Sequence, residues 1–177
     1  LKVIATVGNP SKVATVKQEC PSARVVVVSQ EDFAEAALVE THGRGPDIIM
    51  DSLGGKAFRK GWNILALGGR HILFGAASAV KPGTIHKLGA LWRLLPMMWV
   101  ATLPMVSKNK TLAAFNLYHL AGEAEKLHAA AQHLLELRAQ DKIKPRITLS
   151  LPLEKAAEAH RRLQNRETTG KIILTVG

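Results

Sequence analysis

Cysteine is nearly absent: Cys20 is the only one in 177 residues. That excludes a disulfide framework and any multi-cysteine metal site within this stretch, and it points to a reducing, cytoplasmic setting. No signal-peptide pattern opens the chain, and no internal repeat or low-complexity segment interrupts it. Acidic residues are scarce, 14 against 24 lysines and arginines, which leaves a formal charge of +10. Such a surplus suits nucleic acid, an anionic membrane surface or an anionic small ligand. The basic residues are spread along the chain without a dense block, a poor footprint for nucleic acid. A solvated surface with one phosphate site fits better, and no nucleic-acid partner is expected. Metal-ligand spacing is missing too. His42, His71, His86, His119, His128, His133 and His160 form no ligand pattern, and the five-residue step from His128 to His133 does not share a helical face well. Each is expected to be exposed or satisfied by a partner.

What is present is a globular composition, 47% hydrophobic and 21% charged. Residues 2–7 are apolar and β-branched and read as a strand; a chain seldom starts inside a buried strand, so preceding sequence is expected. Asn9 can cap a helix and Pro10 suits its first turn, with Val13 and Val16 three apart and Pro21 ending it. Residues 24–29 hold four consecutive valines, the mark of a strand buried on both faces. Residues 32–41 place Phe33, Ala36 and Ala37 on one helical side, closed by Gly43. Residues 47–51 form a short strand. Phe58, Trp62 and Leu65 recur at helical spacing, Gly68 and Gly69 break that helix, and residues 70–74 are a further strand. Strands alternating with helices imply a parallel sheet covered on both faces.

Ligands in such sheets sit beyond the carboxyl ends of the strands. Residues 6–12, 51–55 and 74–78 occupy those ends, and all three are rich in glycine or small residues that let a ligand approach the backbone. An NAD-binding second strand usually ends in an acid that holds the ribose hydroxyls. No acid occurs between Lys2 and Lys17; Asn9, Ser11 and Lys12 stand there instead. Backbone N–H groups, a helix dipole and an ammonium together suit a phosphate dianion. A capped helix with one exposed lysine is the plainer reading of the same residues.

The apolar stretch 88–106 contains one charge, Arg93, and two prolines, Pro96 and Pro104. Its length could span a bilayer, but the charge and the prolines favour a buried helix followed by an edge strand over 98–107, open to pairing in a homodimer. Residues 123–142 read as an amphipathic helix with Leu127, Ala131, Leu134 and Leu135 inward. A strand over 147–151, a short helix over 152–162 with Leu153, Ala156, Ala157 and Leu163 on one side, and a strand over 171–176 complete the chain.

Taken in order, KVIATVGNPSK (2–12), EDF (31–33), GRGPDIIMDSLGG (43–55), LALGGRHILFGAAS (65–78) and ETTGKIIL (167–174) resemble the medium-chain dehydrogenase/reductase superfamily, on its zinc-free quinone oxidoreductase branch. The segments AFNLYHLAGEAEKL (114–127) and KIKPRITLSLPLEKAAEAHRRL (142–163) look closer to the homologues of the synaptic vesicle membrane protein of this superfamily. The resemblance covers nearly the whole chain and concerns the C-terminal part of such proteins. It implies an α/β fold: a partial Rossmann doubly wound parallel sheet lacking its first strand, with residues 1–146 in the NADP-binding domain. Residues 147–177 would return to a mostly absent GroES-like substrate domain. The glycine-rich phosphate turn would lie upstream, and no G-x-G-x-x-G occurs here.

The resemblance also implies a site and an activity. A lysine at the position of Lys12 contacts the 2′-phosphate of NADPH in related reductases, with Asn9 and Ser11 beside it. Ser52, Leu53 and Gly54 would lie near the nicotinamide ribose, Phe74, Gly75 and Ala76 near the nicotinamide, and Lys171 close to the cofactor. One departure is Val28, where relatives often carry a tyrosine near the adenine. The implied reaction is hydride transfer from NADPH to a quinone or activated alkene, by the full-length protein rather than this stretch alone. No side-chain acid or base and no metal is implied. A non-catalytic NADPH-binding adaptor with peripheral membrane contact is the alternative on the same fold.

Overall fold

The computed structural model describes residues 1–77, 95, 100, 102–165 and 167–176. Two compact units divide the chain, Leu1–Asn116 and Leu117–Gly177.

The first unit opens with strand β1 (Ile4–Val7), a single 3-10 turn (Pro10–Lys12) and helix α1 (Val13–Glu19). Strand β2 (Arg24–Val27) pairs with β1 in parallel, with Ile4 opposite Arg24 and Val7 opposite Val27. Val25, Val26 and Val27 are all buried, as a strand covered on both faces requires. Val7, Val25 and Val27 form a core against which Val13 and Val16 of α1 pack. The three-residue step between the two helical valines thus has its partner.

Helix α2 (Phe33–Glu40) starts at Asp32, whose carboxylate accepts from the Ala34 N–H at 2.8 Å, and buries Ala36 and Ala37. Gly43, at φ 80°, donates its N–H to the Leu38 carbonyl at 2.8 Å and closes the helix as the sequence predicts. Strand β3 (Ile48–Asp51), helix α3 (Gly55–Ile64) and strand β4 (Arg70–Leu73) then form a parallel β-α-β unit, with Ile48 opposite Arg70 and Asp51 opposite Leu73. Phe58, Gly61 and Trp62 of α3 are buried.

Helix α4 (Thr102–Lys108) replaces the strand expected over 98–107; residues 98, 99 and 101 lie outside the described residues. Two features explain the difference. Pro104 falls in the first helical turn, where a missing N–H costs nothing. Asn109 at φ 50° takes the left-handed position that ends a helix, and the Lys110 N–H reaches the Met105 carbonyl at 3.0 Å. The edge strand begins after that stop, as β5 (Thr111–Ala114), parallel to β4. Of the apolar stretch 88–106, residues 88–94 and 96–99 also lie outside the described residues. Among the described residues, no helix is long and apolar enough to cross a membrane.

Hydrogen bonding among the described strands gives separate sheets, β1-β2 and β3-β4-β5. A doubly wound sheet that lacks its central first strand has this break.

The second unit contains helix α5 (Ala124–Ala139), strand β6 (Ile147–Pro152), helix α6 (Ala156–Gln164) and strand β7 (Lys171–Thr175), with β6 and β7 parallel. The inward face expected on α5 is not covered: Leu134 is 55% and Leu135 66% exposed. Periodicity shows that a helix can bury a face, not that this unit supplies the surface to bury it. On α6 the buried residue is Ala159, while Leu153 and Leu163 stay exposed. Ala156, Ala159 and Leu163 share one helical face, and that face is fully covered only at Ala159.

Candidate functional site

Two of the three expected strand-end segments come together. At the carboxyl end of β3, Asp51 folds its side chain back over the following turn, and Oδ1 accepts from the Leu53 N–H at 2.7 Å and the Gly54 N–H at 3.0 Å. This is the local turn that an aspartate makes with backbone N–H groups two and three residues on. Gly54 and Gly55 then take φ 67° and 58°, left-handed values that glycine adopts without strain, and α3 begins.

The next strand end locks onto this turn. The Phe74 N–H donates to the Asp51 carbonyl at 2.9 Å, and the Ala77 N–H donates to the Ser52 carbonyl at 3.1 Å. A Cβ on Gly75 would lie 2.7 Å from that same Ser52 oxygen. Glycine is what allows the two backbones to approach so closely. Ser52 and Leu53 remain exposed while Gly54 is buried.

An open cleft of about 420 Å3 lies beside the second turn, lined by Leu73, Phe74, Gly75, Ala76, Ala114, Phe115 and Asn116. Phe74 and Phe115 form a near-parallel pair along it, their ring centroids 6.1 Å apart at 19°. Such an offset aromatic pair leaves apolar ring faces free for a flat ligand.

Asn9, Ser11 and Lys12 form a separate element beyond β1. Asn9 caps the 3-10 turn, accepting from the Ser11 N–H at 3.0 Å, and Pro10 is the first residue of that turn. The capping role read from the sequence is present, with a 3-10 turn entering α1. Lys171 opens β7 in the second unit, with its N–H bonded to the Arg146 carbonyl at 2.8 Å. Of the ten expected site residues, the structure therefore joins six, Ser52, Leu53, Gly54, Phe74, Gly75 and Ala76. Ser78 lies outside the described residues.

Three contributors escape a reading of the sequence as cofactor contacts. Asp51 shapes the first turn, and its signal was a strand-ending aspartate before Ser-Leu-Gly-Gly. His71 bonds Asp51 Oδ2 through Nε2 at 3.1 Å; its signal is the alternation of β4, which sends positions 71 and 73 to the same face. Phe115 comes from β5, whose position the sequence misplaced. Burial alone would push the Asp51 carboxyl up. The bonds from His71 and from the Gly54 and Leu53 N–H groups outweigh it, and the group titrates below the ordinary aspartate range.

Among the described residues, no group of three or more His, Cys, Asp or Glu side chains is placed to hold a metal ion. Gly75 is required for the contact between the two turns, since any Cβ there would meet the Ser52 backbone.

Comparison with known proteins agrees with this architecture. Residues 22–174 match the zinc-binding dehydrogenase family. The chain is 36% identical over 134 residues to the synaptic vesicle membrane protein VAT-1 homolog of Danio rerio, covering 75% of this chain and 27% of that one. Among solved structures, the quinone oxidoreductase of Pseudomonas syringae pv. Tomato DC3000 superposes with a TM-score of 0.72 at 27% identity, over 98% of this chain and 48% of that one. An NAD-dependent alcohol dehydrogenase superposes with a TM-score of 0.69 at 26% identity, over 99% of this chain and 44% of that one. The chain thus spans about a quarter of the Danio rerio relative and just under half of the two solved structures. By the extent of the family match, it belongs to the zinc-binding dehydrogenase family of the medium-chain dehydrogenase/reductase superfamily.

Proposed function

We propose that this chain supplies the nicotinamide side of a dinucleotide cradle in an oxidoreductase that uses NADPH to reduce a quinone or an activated alkene. The observation that carries this reading is the interlock of residues 51–54 with residues 74–77 at the carboxyl ends of adjacent parallel strands. That is the edge where ligands of open α/β sheets bind. When bound, the nicotinamide supplies the hydride. The chain's own residues bind and orient. Ser52, Leu53 and Gly54 would lie beside the ribose and Gly75 and Ala76 beside the ring, and Phe74 with Phe115, which line the cleft, would give a flat acceptor a dry wall. Holding two flat reactants against one another is itself a large part of catalysis.

NADPH rather than NADH is favoured by Lys12 with Asn9 and Ser11 where an NAD enzyme would carry an acid. The solved relatives bear both kinds of name, quinone oxidoreductase and NAD-dependent alcohol dehydrogenase, so the preference rests on this chain's own residues. Calorimetry of the intact protein tests it, with NADPH and NADH and with Lys12→Ala. Losing one charge-assisted phosphate contact should weaken NADPH about tenfold or more and leave NADH unchanged. Failure of NADPH to bind would overturn the reading. NADPH binding without turnover on a panel of quinones and enones would point instead to a non-catalytic or membrane-associated adaptor, an alternative motivated by the membrane-protein name of the Danio rerio relative. A cytoplasmic, homodimeric state is part of the same proposal.

A further inference from the structure

We propose that His71 is a positioning residue that acts through Asp51 to hold the turn at residues 52–54 in its ligand-ready shape. Its consequence for cofactor affinity rests on the function proposed above; its consequence for the turn does not.

The His71 side chain is wholly enclosed, at 0% exposure. It lies against the Phe58 ring, centroids 4.6 Å apart, and near the Trp62 ring at 6.3 Å. Gly61 completes the pocket, since a Cβ there would stand 3.1 Å from His71 Cε1. One face of α3 is therefore shaped around an imidazole. Yet Nδ1 has no hydrogen-bond partner among the described residues. A buried nitrogen without a partner is destabilising, and a phenylalanine or leucine in so apolar a pocket would carry no such penalty. Packing alone does not account for histidine here.

What histidine adds is the bond to Asp51. An ionised carboxylate only accepts, so Nε2 carries the hydrogen and donates to Oδ2 at 3.1 Å. The other carboxylate oxygen, Oδ1, is the one that receives Leu53 and Gly54. Rotation about the terminal aspartate torsion is intrinsically loose. Anchoring Oδ2 fixes the carboxylate plane and so aims Oδ1 at both N–H groups. The connection runs from α3 through the imidazole to the carboxylate and on to the exposed turn. The turn's far side is already tied by the Ser52 carbonyl to Ala77.

The test compares His71→Leu, which removes the donor, with His71→Gln, whose amide N–H₂ reaches about as far as Nε2. In the intact protein, hydrogen exchange at the Leu53 and Gly54 N–H groups should speed up about tenfold in His71→Leu relative to the Phe74 N–H, and recover in His71→Gln; tenfold is the order expected for one charge-assisted bond. The Phe74 reference removes any general loss of stability. NADPH should weaken by a similar factor in His71→Leu and recover in His71→Gln. Equal exchange in the unmodified and leucine proteins, or no recovery with glutamine, would overturn the positioning role. A faster-exchanging turn with unchanged NADPH affinity would leave that role standing and remove the cofactor reading. The unmodified protein gives a check that needs no variant: the His71 side-chain ¹⁵N spectrum should show Nε2 protonated and Nδ1 bare, and the opposite tautomer would end the proposal.

Discussion

Gly75→Ala is the sharpest test of the interlocked turns. A Cβ at this position would stand 2.7 Å from the Ser52 carbonyl oxygen, 3.2 Å from Ser52 Cα and 3.3 Å from the Ser52 carbonyl carbon. All three are backbone atoms, so no side chain can swing aside. Reaching ordinary contact requires the two turns to separate by about 0.7 Å. The Ser52 oxygen is also the acceptor for the Ala77 N–H at 3.1 Å, and a retreat of that size ends the hydrogen bond. Forced packing costs about 1–3 kcal/mol and the lost bond about 1 kcal/mol, while alanine returns up to about 1 kcal/mol by restricting the unfolded chain. The net loss is about 2 kcal/mol. With a urea dependence of about 2 kcal/mol per molar, the unfolding midpoint of the intact protein falls by about 1 M. The fluorescence of Trp62, buried in α3 of the same unit, reports it. Gly122→Ala is the control, because a Cβ there meets nothing within 4 Å. An unchanged Gly75→Ala midpoint would show that the turns are not in the contact described.

Two further outcomes follow from the buried polar groups. The Asp51 pKa is lowered in the folded protein, so the stability it contributes is complete above the unfolded aspartate value of about 3.9 and is lost as pH falls through the lower folded value. The urea midpoint should therefore drop across that acid window, and Asp51→Asn should flatten the drop; an identical acid profile in Asp51→Asn would contradict the assignment. Lys110 is buried, its Nζ donates to the Trp62 carbonyl at 2.7 Å and sits 5.4 Å from the Trp62 ring centroid, and burial lowers its pKa. Lys110→Met should cost about 1–3 kcal/mol, chiefly by leaving that carbonyl without its donor, as read by urea unfolding.

Most elements of the first unit were legible because each rests on local chemistry. Four valines in a row announce β2, Asp32 and Gly43 bracket α2, and the 58/62/65 spacing announces α3. The misplacement of β5 has a local cause as well. Pro104 argues against a helix only if it lies in the interior, and sequence alone does not say that a helix begins two residues before it. The site divides along similar lines. Glycine-rich strand ends were visible, so Ser52, Gly54 and Gly75 were expected to lie together, and the structure joins them. His71 was not, because its role depends on a carboxylate twenty residues away that only strand pairing brings within reach. The exposed leucines of α5 mark the limit of periodicity as a guide: it identifies a face that can be buried, and burial then depends on what lies opposite.

The break between the two sheets has a bearing on how much of the site is preformed. Strand β3 is bonded on one side only among the described residues, to β4, and Ile48 and Met50 are 53% and 63% exposed. These two alternate with Ile49 and Asp51, so they share one face of the strand. Asp51, His71, Phe58 and Trp62 belong to the other face, beneath α3, where they are buried. Every bond that shapes the two turns comes from β3, β4 or the residues directly after them: Oδ1 of Asp51 to its own turn, Nε2 of His71 to Oδ2, Phe74 to Asp51 and Ala77 to Ser52. None uses the bare face or the unbonded edge. The two interlocked turns are therefore set by a single β-α-β unit, and covering Ile48 and Met50 would add stability to that unit without being needed to shape its turns.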